Sequence, residues 1–153
     1  MVKVSICVPT YNNVSEVERL LQSVHRQNYT DYEVNISDDS TNEKTAELIE
    51  RISTEWSWQD KLHYIHNEKP LGHIYNWNAA IKMAAGQYIK IMFSDDWFTD
   101  SDSLGTFVSM LDEHPKANLA FSGSMQVLLD GQDIGQVKHL NKLVTEHGNA
   151  YAR

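Results

Sequence analysis

The sequence has one cysteine, Cys7, among its 153 residues. A single thiol excludes an internal disulfide framework and favours a reducing compartment over a secreted protein. Proline and glycine are scarce, at 3 and 7 residues, which excludes collagenous, low-complexity and long disordered chains. No apolar run approaches the roughly 18 residues that a membrane-spanning helix needs, and the N-terminal residues lack the cleavage region of a signal peptide. These absences predict one soluble, intracellular domain.

Basic residues are too few to balance the acidic ones. Lysine and arginine number 13 and aspartate and glutamate 21, which gives a formal net charge of -8 at pH 7. Such a surface lacks the clustered cations that a nucleic-acid backbone requires, so no nucleic-acid partner is expected. An acidic chain that handles a phosphorylated ligand needs a metal ion to screen the repulsion between the two.

Strand-like and helix-like segments alternate along the chain. Val2–Val8 is almost continuously apolar and rich in β-branched residues, the pattern of a strand buried on both faces. Further strands are predicted at 32–37, 62–66, 87–93 and 118–122, and helices at 13–27, 41–56, 74–85 and 101–113, with Trp77 facing the core. Asp130-Gly131 predicts a hairpin turn within 125–137. We therefore predict an α/β fold: a mostly parallel sheet with helices on both faces and a late β-hairpin.

The common nucleotide and zinc motifs are missing. No G-x-G-x-x-G follows the first strand, no G-x-x-x-x-G-K-[ST] occurs, and there is no H-E-x-x-H. These absences argue against dinucleotide oxidoreductases, P-loop enzymes and zinc proteases. His63 and His66 lie three apart on a predicted strand, so their side chains should face opposite sides and should not ligate one metal.

Polar clusters follow three of the predicted strands. They are Pro9-Thr10-Tyr11-Asn12, Asp38-Asp39-Ser40 and Ser94-Asp95-Asp96. In open α/β sheets ligands bind beyond the carboxyl ends of the strands. Four carboxylates on one rim repel each other unless a divalent cation or hydrogen-bond donors share the site, and aspartate oxygens suit magnesium or manganese. The alternative is that Asp38 and Asp39 cap the next helix.

With these clusters, the sequence resembles the donor-binding half of family 2 inverting glycosyltransferases of the GT-A fold. The resemblance covers about residues 3–125. It rests on the order and spacing of three matching stretches, which are Val4–Asn12, Glu33–Ser40, and the positions Gly72, Asn78, Ala84, Gly86, Tyr88 and Asp95-Asp96.

The resemblance implies a Rossmann-like sheet of the nucleotide-diphospho-sugar transferase type, and an enzyme that binds a UDP-sugar with Mn²⁺ or Mg²⁺. It further implies transfer of the sugar, with inversion, to a glycan or lipid-linked acceptor in polysaccharide or cell-envelope biosynthesis. The nucleotide-sugar-binding residues that it implies are Pro9, Thr10, Tyr11, Asn12, Asp38, Asp39, Ser40, His73, Asn78 and Asp95; the metal ligands are Asp96 and Asp95. Within this set Thr10 and Tyr11 line the uridine pocket, and Asp39 accepts a hydrogen bond from the base.

The sequence departs from the family pattern at two positions. Many relatives have an aspartate two residues before Asp95, where this chain has Phe93. Relatives also often have a basic residue between the positions of Gly72 and Asn78, and here His73 is the candidate for a phosphate contact. These departures leave metal binding to rest on Asp96, and phosphate binding on His73.

The catalytic residue is not identified in this sequence. In the family the acceptor site and the catalytic base come from a second half, and no matching motif lies between His139 and Arg153, where Glu146 is a poor stand-in. We therefore expect residues 1–138 to form a donor-binding core and 139–153 a tail, with the base beyond Arg153. The alternative is a non-catalytic nucleotide-sugar-binding module.

Two further expectations concern other folds and partners. A signalling receiver domain also has aspartates at strand ends, but it requires an acidic pair after the first strand. This chain has Pro9-Thr10 at that place, which argues against a receiver domain. The resemblance implies a cytoplasmic location, with peripheral contact to the inner face of the membrane left open. Apolar surface exposed where the second half would pack favours a homodimer.

Overall fold

The computed structural model describes residues 1–127, 133–137, 144–146 and 149–151. The chain divides into two compact units, Met1–Leu104 and Gly105–Arg153. The strands are β1 (Val4–Thr10), β2 (Tyr32–Asp38), β3 (Leu62–His66), β4 (Tyr88–Ile91), β5 (Ser124–Val127), β6 (Asp133–Val137), β7 (Val144–Glu146) and β8 (Asn149–Tyr151). The helices are α1 (Val14–His25), α2 (Lys44–Glu55), α3 (His73–Lys82) and α4 (Ser103–Glu113).

The first unit contains a four-stranded sheet in the order β3-β2-β1-β4, and all of its pairings are parallel. The register pairs Val4 with Tyr32 at one end of β1 and Thr10 with Asp38 at the other. Every residue of β1 and β2 is buried, as expected for central strands that are covered on both faces. The predicted parallel sheet is confirmed.

Side-chain alternation gives the sheet two different faces. On one face the Tyr32 hydroxyl donates to the Val24 carbonyl of α1 at 3.4 Å. On the other face the Glu33 carboxylate accepts from the Ala85 amide, just after α3, at 2.7 Å. Helices therefore lie on both faces, as predicted.

Glu33 is a buried carboxylate at the start of β2 that joins this strand to β1 and to the segment after α3. It accepts hydrogen bonds from the Ser5 hydroxyl at 2.6 Å and the Asn35 amide at 3.1 Å, in addition to that from Ala85. Burial alone raises the pKa of Glu33, but these three hydrogen bonds outweigh it and hold the pKa below its usual value. Close packing at this point requires a glycine, because a Cβ on Gly86 would lie 2.7 Å from the Ser5 amide nitrogen.

Helix α3 buries less of its surface than the sequence predicted. Ala80 is fully buried, but Trp77 is 37% exposed and contacts the Phe93 ring at a centroid distance of 4.8 Å. The prediction that Trp77 faces the core is therefore wrong. The reason is that α3 packs against β1 and β2, so the side chains of α3 that do not face these two strands are left partly exposed.

The second unit holds short antiparallel pairs. Strand β5 pairs with β6, which confirms the predicted hairpin, although its predicted turn at Asp130-Gly131 lies outside the described residues. The strand predicted at 118–122 is wrong, since residues 118–123 form no strand and Leu119 is 59% exposed. In the segment where the sequence showed little pattern, β7 pairs with β8. No helix in the described part of the chain is long and apolar enough to cross a membrane.

Candidate functional site

The carboxyl ends of the parallel strands bring the predicted polar clusters to one edge of the sheet. Strands β1 and β2 end at Thr10 and Asp38, which are paired in register. The backbone continues this pairing past the strands, because the Asp39 amide donates to the Thr10 carbonyl at 3.0 Å. We call the segments that follow β1, β2, β3 and β4 at this edge the rim.

Asn12 joins the two rim segments that follow β1 and β2. Its backbone has a φ of 54°, a left-handed conformation that asparagine tolerates better than most residues. Its amide donates to the Ser40 hydroxyl at 2.8 Å, and its side-chain oxygen accepts from the Thr41 amide at 3.1 Å and the Asn42 side chain at 3.0 Å. These bonds hold residues 40–42 outside the helix, so α2 begins at Lys44 rather than at the predicted position 41.

Asp38 and Asp39 are both buried and both accept hydrogen bonds from the rim. Asp38 accepts from the Ser40 amide at 2.8 Å. Asp39 accepts from the Gly72 amide and from the Asn67 side chain, each at 2.8 Å. The alternative that they cap α2 is wrong, because the N-cap position of that helix is Glu43. Donors from the rim segments that follow β2 and β3 therefore converge on two carboxylates.

Two asparagines that the sequence did not single out belong to this network. The Asn76 side chain of α3 donates to the Thr10 carbonyl at 3.1 Å. The Asn67 side chain also donates to the Ser37 hydroxyl at 3.1 Å. Asn76 is one turn from Ala80 on the buried side of α3, and a polar residue at such a position is the sequence signal that would have identified it.

Strand β3 contributes two further side chains that the sequence did not connect to the site. The Tyr64 hydroxyl donates to Asp38 at 2.8 Å, and burial together with that carboxylate raises the pKa of Tyr64. His66 lies 2.9 Å from the Ser40 carbonyl through Nε2 and 3.4 Å from the Glu43 carboxylate through Nδ1. His63 lies instead 3.7 Å from Glu33, on the opposite face of the sheet, as its spacing from His66 predicted.

The segment that follows β1 presents both buried and exposed groups. Pro9 and Thr10 are buried, whereas the Tyr11 ring is 52% exposed. Among the residues that the structure describes, the buried Thr10 hydroxyl has no hydrogen-bond partner. An exposed aromatic ring beside an unpaired hydroxyl suits a ligand with a flat ring and hydrogen-bonding edges.

Asp95 and Asp96, which follow β4, are exposed, unlike the aspartates that follow β2. One oxygen of Asp96 accepts from the Phe93 amide at 3.3 Å, which fixes that carboxylate against its own turn. Burial lowers the pKa of Lys90, and the negative charge of Asp96 opposes this shift. The turn is also joined to the β1 segment, since the Asn13 side chain donates to the Ser94 hydroxyl at 3.3 Å.

Helix α1 fixes the segment that follows this turn. The Ser23 hydroxyl accepts from the Phe98 amide at 3.0 Å, and the buried Gln27 side chain bonds both the Asp100 carbonyl and the Leu104 amide. The Arg19 guanidinium lies 4.0 Å from the centre of the Trp97 ring. Asp95 and Asp96 are therefore presented on a turn that is anchored on both sides.

Asp95 and Asp96 fit a divalent cation whose other ligands are substrate phosphates and water. No group of three or more His, Cys, Asp or Glu side chains that could hold a metal occurs within the described ranges. Asp95 and one oxygen of Asp96 nevertheless offer hard, exposed donors. Magnesium and manganese are commonly held by one or two carboxylates, with substrate phosphates and water completing the coordination.

His73 and Asn78 are both exposed on α3. His73 is the first residue of the helix and follows Gly72, whose φ of 81° favours glycine. Because Gly72 is bonded to Asp39, His73 starts beside the rim. Asn78 is five residues further along, which places it on a different side of the helix from His73.

Comparison with known proteins agrees with the fold. The model of the family "Glycosyl transferase family 2" matches residues 5–126. Abequosyltransferase RfbV of Salmonella typhimurium is 33% identical over 111 residues, which are 71% of this chain and 32% of RfbV. Poly(ribitol-phosphate) beta-N-acetylglucosaminyltransferase TarS of Staphylococcus aureus is 28% identical over 116 residues, which are 74% of this chain and 20% of TarS. The chain thus spans about a third or less of the length of these relatives.

Solved structures share the fold. TarS residues 1–349 in complex with UDP-GlcNAc superpose with a TM-score of 0.69 at 24% identity, covering 92% of this chain and 37% of that one. The mannosyltransferase PcManGT from Pyrobaculum calidifontis, in complex with GDP-Man and Mn²⁺, gives a TM-score of 0.70 at 24% identity, covering 78% of this chain and 34% of that one. At this identity the likeness establishes a common GT-A fold.

Proposed function

The chain belongs to glycosyl transferase family 2, and from this membership we propose that its rim binds a nucleotide-diphosphate sugar, a UDP-sugar, together with a divalent metal ion. The observation that carries the proposal is the hydrogen-bonded rim itself. It fixes Thr10, Asn12 and Asp39 at the carboxyl ends of β1 and β2 and presents exposed carboxylates after β4.

The nucleoside is proposed to bind at the β1 and β2 ends. Tyr11 supplies an exposed ring for stacking, and Thr10 has an unpaired buried hydroxyl. Asp39 uses one bond at each carboxylate oxygen for Asn67 and Gly72. A carboxylate has about four acceptor sites, so Asp39 retains capacity for an N–H of the base. TarS, with UDP and UDP-GlcNAc in its solved complexes, supports uracil as the base.

The diphosphate is proposed to bind near the exposed turn after β4. Asp96, with Asp95, would hold Mn²⁺ or Mg²⁺, and the bound ion would stabilise the charge that develops on the leaving diphosphate. His73 is the proposed protein contact to a phosphate. A cation at this place would offset the repulsion between a diphosphate and the exposed carboxylates of Asp95 and Asp96.

The proposal extends from donor binding to transfer of the sugar to an acceptor. The relatives are named as sugar transferases, RfbV as an abequosyltransferase and TarS as a poly(ribitol-phosphate) beta-N-acetylglucosaminyltransferase. We infer that the rim serves inverting transfer of the sugar to a glycan or lipid-linked acceptor. A non-catalytic nucleotide-sugar-binding module would bind the donor equally well, and would release no UDP from a UDP-sugar in the presence of acceptor.

Isothermal titration calorimetry tests donor binding directly. UDP is titrated into the protein with Mn²⁺, and again with EDTA replacing the metal. We expect saturable heat with Mn²⁺ and a large loss of affinity with EDTA. Asp96→Ala should remove the metal-dependent part of the binding, while leaving the thermal unfolding midpoint close to that of the wild type because Asp96 is exposed.

Asp60→Ala is the matched control for that experiment. Asp60 is also an exposed aspartate, but it precedes β3 and so lies at the opposite edge of the sheet from the rim. The Asp60→Ala variant should bind UDP with the affinity of the wild type. Absence of any UDP binding by the wild-type protein with Mn²⁺ would overturn the proposed function, and equal losses in Asp96→Ala and Asp60→Ala would overturn the assignment of Asp96.

A further inference from the structure

The end of β3 carries two side chains that point to the turn after β2. Tyr64 and His66 are two residues apart, so they lie on the same face of the strand. Tyr64 contacts the Asp38 side chain, and His66 contacts the Ser40 backbone. Neither residue belongs to the polar clusters that the sequence identified.

Both ring nitrogens of His66 face acceptors. Nε2 lies 2.9 Å from the Ser40 carbonyl oxygen and Nδ1 lies 3.4 Å from a Glu43 carboxylate oxygen. A neutral imidazole has one N–H, so only the imidazolium donates to both. The charged groups that act on the ring are Glu43, at the start of α2, and Asp38, at the end of β2, and with the Ser40 carbonyl they raise the pKa of His66.

Ser40 is the residue through which His66 would act on the rim. Its amide donates to Asp38 and its hydroxyl accepts from the Asn12 amide, both at 2.8 Å. With the His66 bond, three different groups of Ser40 are held by the segment after β1, by the last residue of β2 and by the last residue of β3. Movement of Ser40 therefore changes the spacing between the segments that follow β1 and β2.

We propose that His66 is a positioning residue of the donor site, which fixes the Ser40 peptide and thereby the separation of the Asn12 and Asp38–Asp39 segments. The proposal rests on the proposed function for its ligand, and on contacts within the chain for its geometry. Its effect is on donor affinity, because His66 acts through Ser40 rather than on the donor itself. The imidazolium binds the Ser40 carbonyl more strongly than neutral imidazole does, since charge-assisted hydrogen bonds are roughly twice as strong.

Asparagine and glutamine substitutions separate the two ring contacts. The side-chain amide of His66→Gln reaches the position of Nε2 and retains a donor for Ser40, whereas that of His66→Asn reaches only the position of Nδ1. Titration with UDP-GlcNAc and Mg²⁺ should show near wild-type affinity for His66→Gln. His66→Asn should bind about three- to tenfold more weakly, the factor that corresponds to one net hydrogen bond.

The pH profile provides a readout that a purely structural role would not change. UDP-GlcNAc has no phosphate group that titrates near neutrality, so affinity is compared between about pH 5.5 and pH 8, where histidine changes charge. Wild-type affinity should fall as pH rises through the His66 pKa. The His66→Gln profile should lack this step, and His63→Gln, which alters the histidine on the other face of β3, should retain it.

Nuclear magnetic resonance separates this proposal from the proposed function. In the free protein, the Ser40 and Asn12 amide resonances should shift with the protonation of the His66 ring, and should not shift in His66→Gln. The positioning role is wrong, although the donor site stands, if His66→Asn binds UDP-GlcNAc with the same affinity as the wild type. It is also wrong if the Ser40 and Asn12 amide resonances do not shift with the protonation of His66. If these amide resonances shift with His66 protonation but no nucleotide sugar binds, the proposed function is wrong, and the contact between His66 and Ser40 still positions the Asn12 segment.

Discussion

Replacement of Asp39 by asparagine tests whether the buried carboxylate organises the rim. Asp39 is 3% exposed and accepts one hydrogen bond at each oxygen, from the Asn67 side chain and the Gly72 amide. Asp39→Asn keeps the shape but turns one acceptor into a donor, which then faces an N–H. Gly72 cannot change its donor, and Asn67 is held by its contact with Ser37. One charge-assisted bond is lost and a buried donor is left unpaired, so we expect unfolding free energy to fall by about 2 to 3 kcal/mol.

Urea unfolding, followed by tryptophan fluorescence at neutral pH, measures this loss. With a slope of about 1 to 3 kcal/mol per molar urea, the midpoint should fall by about 0.7 to 3 M. Asp95→Asn is the control, because Asp95 is exposed and an exposed substitution changes stability by about 0.5 kcal/mol or less. An Asp39→Asn midpoint equal to that of Asp95→Asn would refute the reasoning, since the two donors would then have found other acceptors.

Two further predictions concern the opposite end of the sheet. The pKa of Glu33 is lowered in the folded protein, so its carboxylate adds stability above the unfolded pKa of about 4.5. This contribution is lost as pH falls through the folded pKa. The free energy of unfolding, measured from about pH 6 to pH 3, should therefore fall more steeply in the wild type than in Glu33→Gln. Gly86→Ala should destabilise the fold by about 1 to 3 kcal/mol, because the added Cβ meets backbone atoms of Ser5 and Val4 at 2.7 and 2.9 Å; thermal unfolding measures this, with Gly123→Ala, where a Cβ meets nothing within 4 Å, as the control that should stay near the wild type.

The sequence predicted where the polar clusters lie more fully than how they are bonded to one another. Clusters after β1, β2 and β4 are visible as polar residues that interrupt apolar strands, and parallel topology then places them at one edge. The four aspartates looked alike in sequence. The structure separates them into a buried pair, Asp38 and Asp39, and an exposed pair, Asp95 and Asp96. Burial depends on which segments fold over a residue, and spacing along the chain does not contain that information.

The residues that sequence reasoning missed act through long-range contacts. Asn67, Asn76 and His66 are each at least 26 residues away in the chain from the Asp39, Thr10 or Ser40 atoms that they bind. Single asparagines and histidines are common in loops and helices, so no local pattern marks these three. Tyr64 is likewise a single aromatic residue on a short strand, and its hydroxyl binds Asp38.

Local chemistry in the sequence determined strands β1 to β4, the four helices and the parallel α/β architecture, because apolar periodicity and β-branched runs are properties of neighbouring residues. The scarcity of cysteine and of basic residues likewise excluded disulfide-bonded and nucleic-acid-binding classes before any fold was known. Tertiary structure alone decided that Asp38 and Asp39 serve as buried acceptors, that Trp77 lies on an exposed flank and that His66 reaches Ser40. Those outcomes depend on strand register and helix placement, which bring together residues that the chain keeps far apart.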